Sequence, residues 1–386
     1  MQQISVRLKG RASQRYEITI GPQMLGDKLG VIARRALTLG ARRAVIISNE
    51  TVFSLYGERA LASLRAADFA TSHWLMKDGE RYKNLRSLTG ALKSLAESKL
   101  ERSDCVIALG GGVVGDLAGL AAALFLRGIA LVQVPTTLLA QVDASVGGKT
   151  AVNTPQGKNT IGAFHQPRAV VIDTETLQTL RRRELTGGWC ECVKHGACGD
   201  RKLFDQTFRF LSLRAQERHN ESAAHEMADL IAAHCRFKAA IVAGDEREDL
   251  TRMDYRSRRI LNFGHTIAHA LESVTNYRRF RHGEAVGYGM LVAGEISLGL
   301  AMLSASELEL LCRAVRLCGR LPRADDLDID SIIKTLAHDK KSVGGSLKWV
   351  LLERIGRARI VEHRDIRPRL LRASLRAALQ KKNHIS

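Results

Sequence analysis

Several features that mark other protein classes are missing from this 386-residue sequence. No apolar run approaches the ~20 residues that a membrane-spanning helix requires, so no membrane partner is expected. The opening stretch, MQQISVRLKGRASQRYEITIG, alternates apolar and polar residues like a strand pair and lacks the apolar region of a signal peptide. The seven cysteines are odd in number and scattered from Cys105 to Cys318, which argues against a disulfide framework and for a reducing cytoplasm. Cys190 and Cys192 are spaced by two rather than three, so they form no zinc knuckle and read as small buried hydrophobes. There is no internal repeat and no low-complexity linker.

What is present fits a soluble globular protein. Hydrophobic residues make up 45% and charged residues 26%, and the length suits about two domains at roughly 100–200 residues each. The net charge of +19 raises the question of nucleic acid. The basic residues are dispersed, however, with no aromatic-interleaved patch, zinc finger or arginine-rich arm. No specific nucleic-acid binding is expected; a basic surface around a site for anionic substrates is the better reading.

Short β-rich runs alternate with helical patterns through the first half: Val6–Leu8, Tyr16–Ile20, Arg43–Ser48, Asp104–Leu109, Ala130–Val134 and Ala169–Asp173. Such alternation predicts βαβ units and a mostly parallel sheet. From about Arg181 the β-rich runs give way to long amphipathic patterns, as in Ser222–Ala243 and Ser306–Arg320. The expected architecture is an α/β Rossmann-like domain over 1–180 and an all-α domain over 181–386.

Gly110, Gly112 and Gly115 fit G-x-G-x-x-G directly after a buried strand and before an apolar helix, the context in which backbone N–H groups meet a pyrophosphate. No acid follows about twenty residues on, so an ordinary dinucleotide fingerprint does not describe the motif. Gly147-Gly-Lys-Thr150 lacks the upstream glycine of a Walker A loop. With Lys158 and Asn159, Lys149 reads instead as part of a cradle for an anion.

The densest chemistry lies in Leu261-Asn-Phe-Gly-His-Thr-Ile-Ala-His-Ala-Leu-Glu272 and His282-Gly-Glu-Ala-Val286. His265 and His269, four apart, share one helical face at metal-clamp spacing, and His282 makes a third histidine in apolar surroundings. Upstream, Glu191 lies in an apolar stretch where a carboxylate needs a cation. Lys194 at i+3 supplies one solution, and a metal shared with the histidines supplies another.

Taken in order, these pieces resemble the 3-dehydroquinate synthase family of sugar-phosphate cyclases. The likeness rests on DGERYK (78–83), GGGVVGD (110–116), QVPTTLLAQVDASVGGKTAVN (133–153), GKNTIGAFHQP (157–167), the Glu191/Lys194 segment, the two histidine motifs and DKK (339–341). It implies an N-terminal NAD-binding domain, a helical metal domain, an active site in the cleft between them and a homodimer. It also implies conversion of an anionic sugar phosphate, 3-deoxy-D-arabino-heptulosonate 7-phosphate, to 3-dehydroquinate and phosphate, with NAD used catalytically and regenerated.

By the same resemblance the ligands of one Zn or Co ion would be Glu191, His265 and His282, with His269 aiding proton transfer instead of binding metal. NAD contacts would come from Asp78, Gly79, Glu80, Arg81, Tyr82 and Lys83, and from Gly112, Val113, Val114, Gly115 and Asp116. Thr136, Thr137, Lys149, Lys158, Thr176, Leu177, Gln178 and Thr179 would complete them. Substrate contacts would come from Asp143, Lys149, Asn159, Lys194, Lys238, Arg258, Asn262, His269 and the Lys340/Lys341 pair, with Arg127 reaching a neighbouring subunit. The chain departs from the family around Asp249–Ser257, where extra residues precede Arg258, and at Trp189, Cys190 and Cys192 around Glu191. Sibling cyclases acting on sedoheptulose 7-phosphate have no substrate carboxylate to clamp. NAD-dependent metal polyol dehydrogenases would not need the lysine cluster.

Overall fold

The computed structural model describes residues 1–7, 15–38, 40–213, 221–249, 251–342 and 347–380, without the side chains of 6, 7, 221 and 338–342. Two compact units account for the chain: Met1–Leu180 with Met227–Arg247, and Arg181–Glu226 with Glu248–Ser386.

The first unit begins with β1 (Gln2–Arg7), β2 (Arg15–Gly21), α1 (Met24–Asp27) and α2 (Leu29–Ala36). Next come β3 (Arg43–Asn49), α3 (Glu50–Ala66), β4 (Ala70–Met76) and α4 (Leu85–Glu97). β5 (Cys105–Gly110), α5 (Gly112–Leu124), β6 (Ala130–Pro135), β7 (Lys149–Thr154), β8 (Gly157–Phe164) and β9 (Ala169–Asp173) follow. Seven strands form one sheet in the order β1-β2-β9-β6-β5-β3-β4, parallel throughout except for the β1–β2 pair. β7 and β8 form a separate antiparallel hairpin.

The period-2 geometry of a strand sends alternate side chains to opposite faces. Ile46, Ile107 and Val132 pack with Leu25, Leu29, Leu61 and Leu64 on one face. Their neighbours Val45, Val106 and Leu131 pack with Leu88, Leu95, Leu117 and Leu120 on the other. Each fully buried side chain of this kind contributes about 1.5–3 kcal/mol. With both faces covered, β3 and β5 are apolar without alternation, as parallel central strands are.

The strand order fixes where a ligand can sit. From β3 the chain moves outward to β4, whereas from β5 it moves the other way to β6. The carboxyl ends of β3 and β5 therefore flank the topological switch point, where open α/β sheets bind ligands. Ser48, Asn49 and the Gly110–Gly112 turn stand there.

The second unit contains α6 (Arg182–Gly199), α7 (Arg201–Ser212) and the start of α8 (Glu221–Gly244), whose later residues belong to the first unit. α9 (His265–Val274), α10 (His282–Gly299), α11 (Ala305–Leu317) and α12 (Ile329–Ser342) follow. A hairpin of β10 (Lys348–Arg354) and β11 (Arg357–Glu362) precedes α13 (Pro368–Gln380). α10 is buried along nearly all of its length and packs against α6, α9, α11, α13 and β10. A helix apolar on every side belongs at the centre of its unit. The unit is helical as expected, with the addition of the one hairpin.

Candidate active-site residues

In the first unit, β5 is buried to its last residue and hands over through Gly111 to α5, whose first N–H groups open at the switch point. A Cβ on Gly115 would stand 2.9 Å from Gln133 Oε1, so glycine lets α5 settle onto β6. Thr136 ties the turn by donating its N–H to the Gly110 carbonyl at 3.0 Å. Thr137 Oγ1 accepts from the Ala140 N–H at 3.2 Å. Val114 is a core residue, whereas Gly112 and Val113 are half-buried beside it.

Asp116, one turn into α5, is ion-paired with the buried Lys83. Lys83 also donates to Asn159 Oδ1 at 2.6 Å. Desolvation pushes the Asp116 carboxyl above its ordinary value, and the Lys83 ammonium pulls it back. Residues expected to serve cofactor and substrate separately are thus one polar cluster. The rest of the 78–83 segment is held nearby: Asp78 accepts from Thr51 Oγ1, Glu80 Oε1 from Asn153 Nδ2 at 2.7 Å, and Arg81 lies over the Tyr82 ring. Gly79 supplies the left-handed turn at φ +107°.

Asp143 projects from a π-helical turn, Ala140–Ala144, and its carboxylate meets Lys238 of the α8 segment at 2.7 Å. π-turns concentrate at functional positions. Lys149 and Lys158 do not form a single cradle: Lys149 pairs with Phe164 at one end of the β7–β8 hairpin, and Lys158 stands at the other. Five to six residues of strand separate them by about 17–20 Å. Thr176 is buried, its hydroxyl donating to the Asp173 carbonyl at 2.7 Å and accepting from Gln141 at 3.1 Å. Thr179 bonds Tyr56, Leu177 is half-buried, and Gln178 is exposed. Arg127 is exposed at a turn in which Leu126 and Arg127 both adopt left-handed backbone, at φ +48° and +67°. Two such residues in succession mark a strained surface feature.

In the second unit, Glu191 of α6, His265 of α9 and His282 of α10 each place a ligand atom within 4.8 Å of the other two. Glu191 is fully buried, and neither carboxylate oxygen has a hydrogen-bond donor. Lys194 Nζ lies 2.5 Å from Oε2 as an ion pair. His282 Nε2 lies 3.9 Å from Oε1. The Lys194 ammonium offsets part of the cost of burying this carboxylate, and a cation shared with two imidazoles would offset more of it. Two histidines and one carboxylate are also a donor set of catalytic zinc centres. The residues fit a divalent ion.

Gly264, at φ +80°, turns the chain into α9 so that His265 heads the helix and its Nδ1 meets the Phe263 carbonyl at 3.3 Å. Desolvation, then Lys194, His282 and His269, push the His265 imidazole well below its ordinary value, leaving it in the neutral form that ligates metals. His269 is edge-on to His265, with ring centroids 5.7 Å apart, and forms a different group with Glu272 and His282. The helical spacing of four therefore brings the two rings together, but His269 is absent from the Glu191 group.

Arg258 is buried at the start of the Arg258–Asn262 turn, and Asn262 donates to Glu248 at 3.1 Å. The described residues of 249–257 close on themselves through Asp249, which accepts from the Thr251 N–H and hydroxyl, and Asp254, which accepts from Arg252 and the Arg256 N–H. Ser257 then caps the turn that carries Arg258. The side chains of Lys340 and Lys341 lie outside the described residues.

Sequence reasoning missed Asn49, Glu248, Glu272 and the pair Arg183–Glu284. Arg183 grips the fully buried Glu284 in a fork at 2.7 and 2.6 Å, joining the first turns of α6 and α10. The available signals were Glu272 on the histidine face of α9, at i+3 from His269, and an acid two residues after His282.

A family model described as 3-dehydroquinate synthase N-terminal matches residues 73–187, and one described as 3-dehydroquinate synthase C-terminal matches 188–342. A 3-dehydroquinate synthase of Cyanothece sp. is 43% identical over 355 residues, covering 90% of this chain and 92% of the relative. One from Pelotomaculum thermopropionicum is 44% identical over 363 residues, covering 93% and 92%. Among solved structures, 2-epi-5-epi-valiolone synthase from Streptomyces hygroscopicus subsp. jinggangensis, with NAD+ and Zn2+ bound, aligns with TM-score 0.82 at 28% identity, covering 97% of this chain and all of that one. A glycerol dehydrogenase from Schizosaccharomyces pombe shares the fold at TM-score 0.65 and 16% identity, covering 94% and 88%. Both halves match in order, and the relatives run through nine-tenths of the sequence: the chain belongs to the 3-dehydroquinate synthase family.

Proposed function

We propose that this protein is a 3-dehydroquinate synthase, converting 3-deoxy-D-arabino-heptulosonate 7-phosphate to 3-dehydroquinate and phosphate. The observation that carries the reading is the convergence of the fully buried Glu191 carboxylate with His265 and His282, their ligand atoms within 4.8 Å of one another. Those three residues would hold one Zn or Co ion, which supplies Lewis-acid polarisation of a substrate hydroxyl. The residues of the Gly110–Gly112 turn would hold NAD, whose chemistry when bound would be to accept a hydride and return it.

The chain's own groups supply charge and position. Lys149, Lys194, Lys238, Arg258 and Lys341 suit a substrate carrying carboxylate and phosphate, and holding one conformer is the larger part of the task. Lys194 is a buried ammonium fixed against Glu191, so its position is preset. Asp143, Asn159 and Asn262 add polar contacts. His269 is exposed, with Glu272 beside it, and is suited to moving a proton at its imidazole. The exposed, strained turn at Arg127 supports a contact with a second copy of the chain, in a homodimer. Seven buried cysteines, none of them in a disulfide, accord with a cytoplasmic setting.

The relatives at 43–44% identity carry the synthase name, whereas the aligned valiolone synthase is at 28%. The test is substrate choice. The protein is given the heptulosonate and sedoheptulose 7-phosphate side by side, and the cyclic product is identified. Dehydroquinate from the first is expected; activity with the second alone would assign a sibling cyclase.

A further inference from the structure

We propose that Glu272 is a positioning residue of the metal centre: its carboxylate accepts a hydrogen bond from the Nδ1–H of His282 and so turns the Nε2 lone pair of that ring toward Glu191 and His265. The inference rests on the reading of Glu191, His265 and His282 as ligands.

The two nitrogens of His282 face two different carboxylates. Nε2 lies 3.9 Å from Glu191 Oε1, and Nδ1 lies 3.4 Å from Glu272 Oε1. A neutral imidazole carries one N–H, and only its other nitrogen can ligate. A carboxylate at Nδ1 therefore fixes the proton there and frees Nε2. Glu272 is suited to this role because it is almost fully buried, at 2% exposure, on the last turns of α9. Its i+3 and i+7 relations to His269 and His265 place it on the histidine face of that helix. His265 shows the same arrangement by other means, with Nδ1 3.3 Å from the Phe263 carbonyl. One ligand histidine is thus oriented by backbone and the other by a carboxylate, the usual outer partners of ligating histidines.

Glu272 also belongs to a second group with His269 and His282, so a role as a ligand is the competing assignment. Burial separates the two. The Nε2 side of His282 holds the fully buried, donor-less Glu191, whereas the second group includes the exposed His269.

The test uses the full chain stripped of metal, with Zn2+ titrated against a chromophoric chelator and Co2+ followed by its visible spectrum. Circular dichroism checks the fold of each variant. Glu272→Gln keeps an amide oxygen as acceptor and should bind Zn2+ close to the unsubstituted protein. Glu272→Ala should bind 10–100-fold more weakly, with an altered Co2+ spectrum. Glu191→Gln should lose binding in either background. Unchanged affinity in Glu272→Ala overturns the proposal. So does a loss in Glu272→Gln as deep as in Glu191→Gln, which would make Glu272 a ligand. Full affinity in Glu191→Gln would bring down the ligand reading itself, and this inference with it. Should Glu272→Ala fail to fold, 15N-histidine NMR of the metal-free parent decides, with His282→Gln assigning the resonance. A proton on Nδ1 supports the proposal, and a proton on Nε2 overturns it.

Discussion

A methyl group added to Gly283 would stand 2.1 Å from the Gly187 carbonyl oxygen, whereas one added to Gly187 would find nothing nearer than 3.6 Å. Here α6 and α10 touch backbone to backbone, one residue from His282 and four from Glu191. Gly283→Ala should force the helices apart at a cost of about 1–3 kcal/mol and lower metal affinity. Gly187→Ala should be neutral or slightly stabilising, since alanine favours a helix interior by roughly 0.5–1 kcal/mol. Thermal unfolding and zinc titration of the two variants check the asymmetry; equal losses would mean that the contact does not set the ligand spacing.

Arg183 and Glu284 fasten the same two helices. Glu284 is fully buried, so Arg183→Met should leave an unpaired charge and cost about 3 kcal/mol. The double change Arg183→Met with Glu284→Gln should cost less than Arg183→Met alone. A double-mutant cycle on unfolding free energy measures this, and purely additive losses would show no coupling.

His265→Ala should lose bound metal, while His269→Ala should keep it in full and lose most turnover. Metal content of the purified variants by atomic emission decides. Comparable metal loss in the two would remove His269 from the proton-transfer role and place it among the ligands.

His165 gives a pH dependence unrelated to the metal. Burial, opposed by the hydrogen bond from Nε2 to the Ile129 carbonyl at 2.9 Å, holds its imidazole below the ordinary 6.5. A histidine depressed in the folded state binds its proton more readily when unfolded. Its stabilising contribution is therefore present above about pH 6.5 and is lost as pH falls through the folded value. Denaturant midpoints of the first unit's transition should fall between pH 7.5 and 5.5, and by less in His165→Asn. An equal fall in both would assign the pH dependence elsewhere.

Much of this was legible in the residues. The apolar runs at 43–48, 104–109, 130–134 and 169–173 are β3, β5, β6 and β9, and the glycine turn after β5 falls at the switch point because strand and helix patterns both meet there. The helical patterns at 222–243 and 306–320 are α8 and α11. Amphipathy says that a helix has a buried face but not which unit covers it, so the assignment of Met227–Arg247 to the first unit could not be read. The β10–β11 hairpin escaped because Trp349–Leu352 is a short unbroken apolar run, which periodicity does not tell from a buried helix, although Gly356 at φ +89° marks the turn. Glu272, Arg183 and Glu284 escaped for a different reason. Carboxylates and guanidinia look solvent-exposed in a sequence until packing buries them.

A metal-dependent cyclase that returns its NAD oxidised should be visible in a single assay. Phosphate release from 3-deoxy-D-arabino-heptulosonate 7-phosphate is followed with NAD+ present, first with the metal stripped and then with Zn2+ or Co2+ restored. Absorbance at the NADH band is recorded throughout. The account predicts no release from the stripped protein, full release on restoration, dehydroquinate as product and no net NADH. Steady NADH accumulation, or release indifferent to the metal, would contradict it.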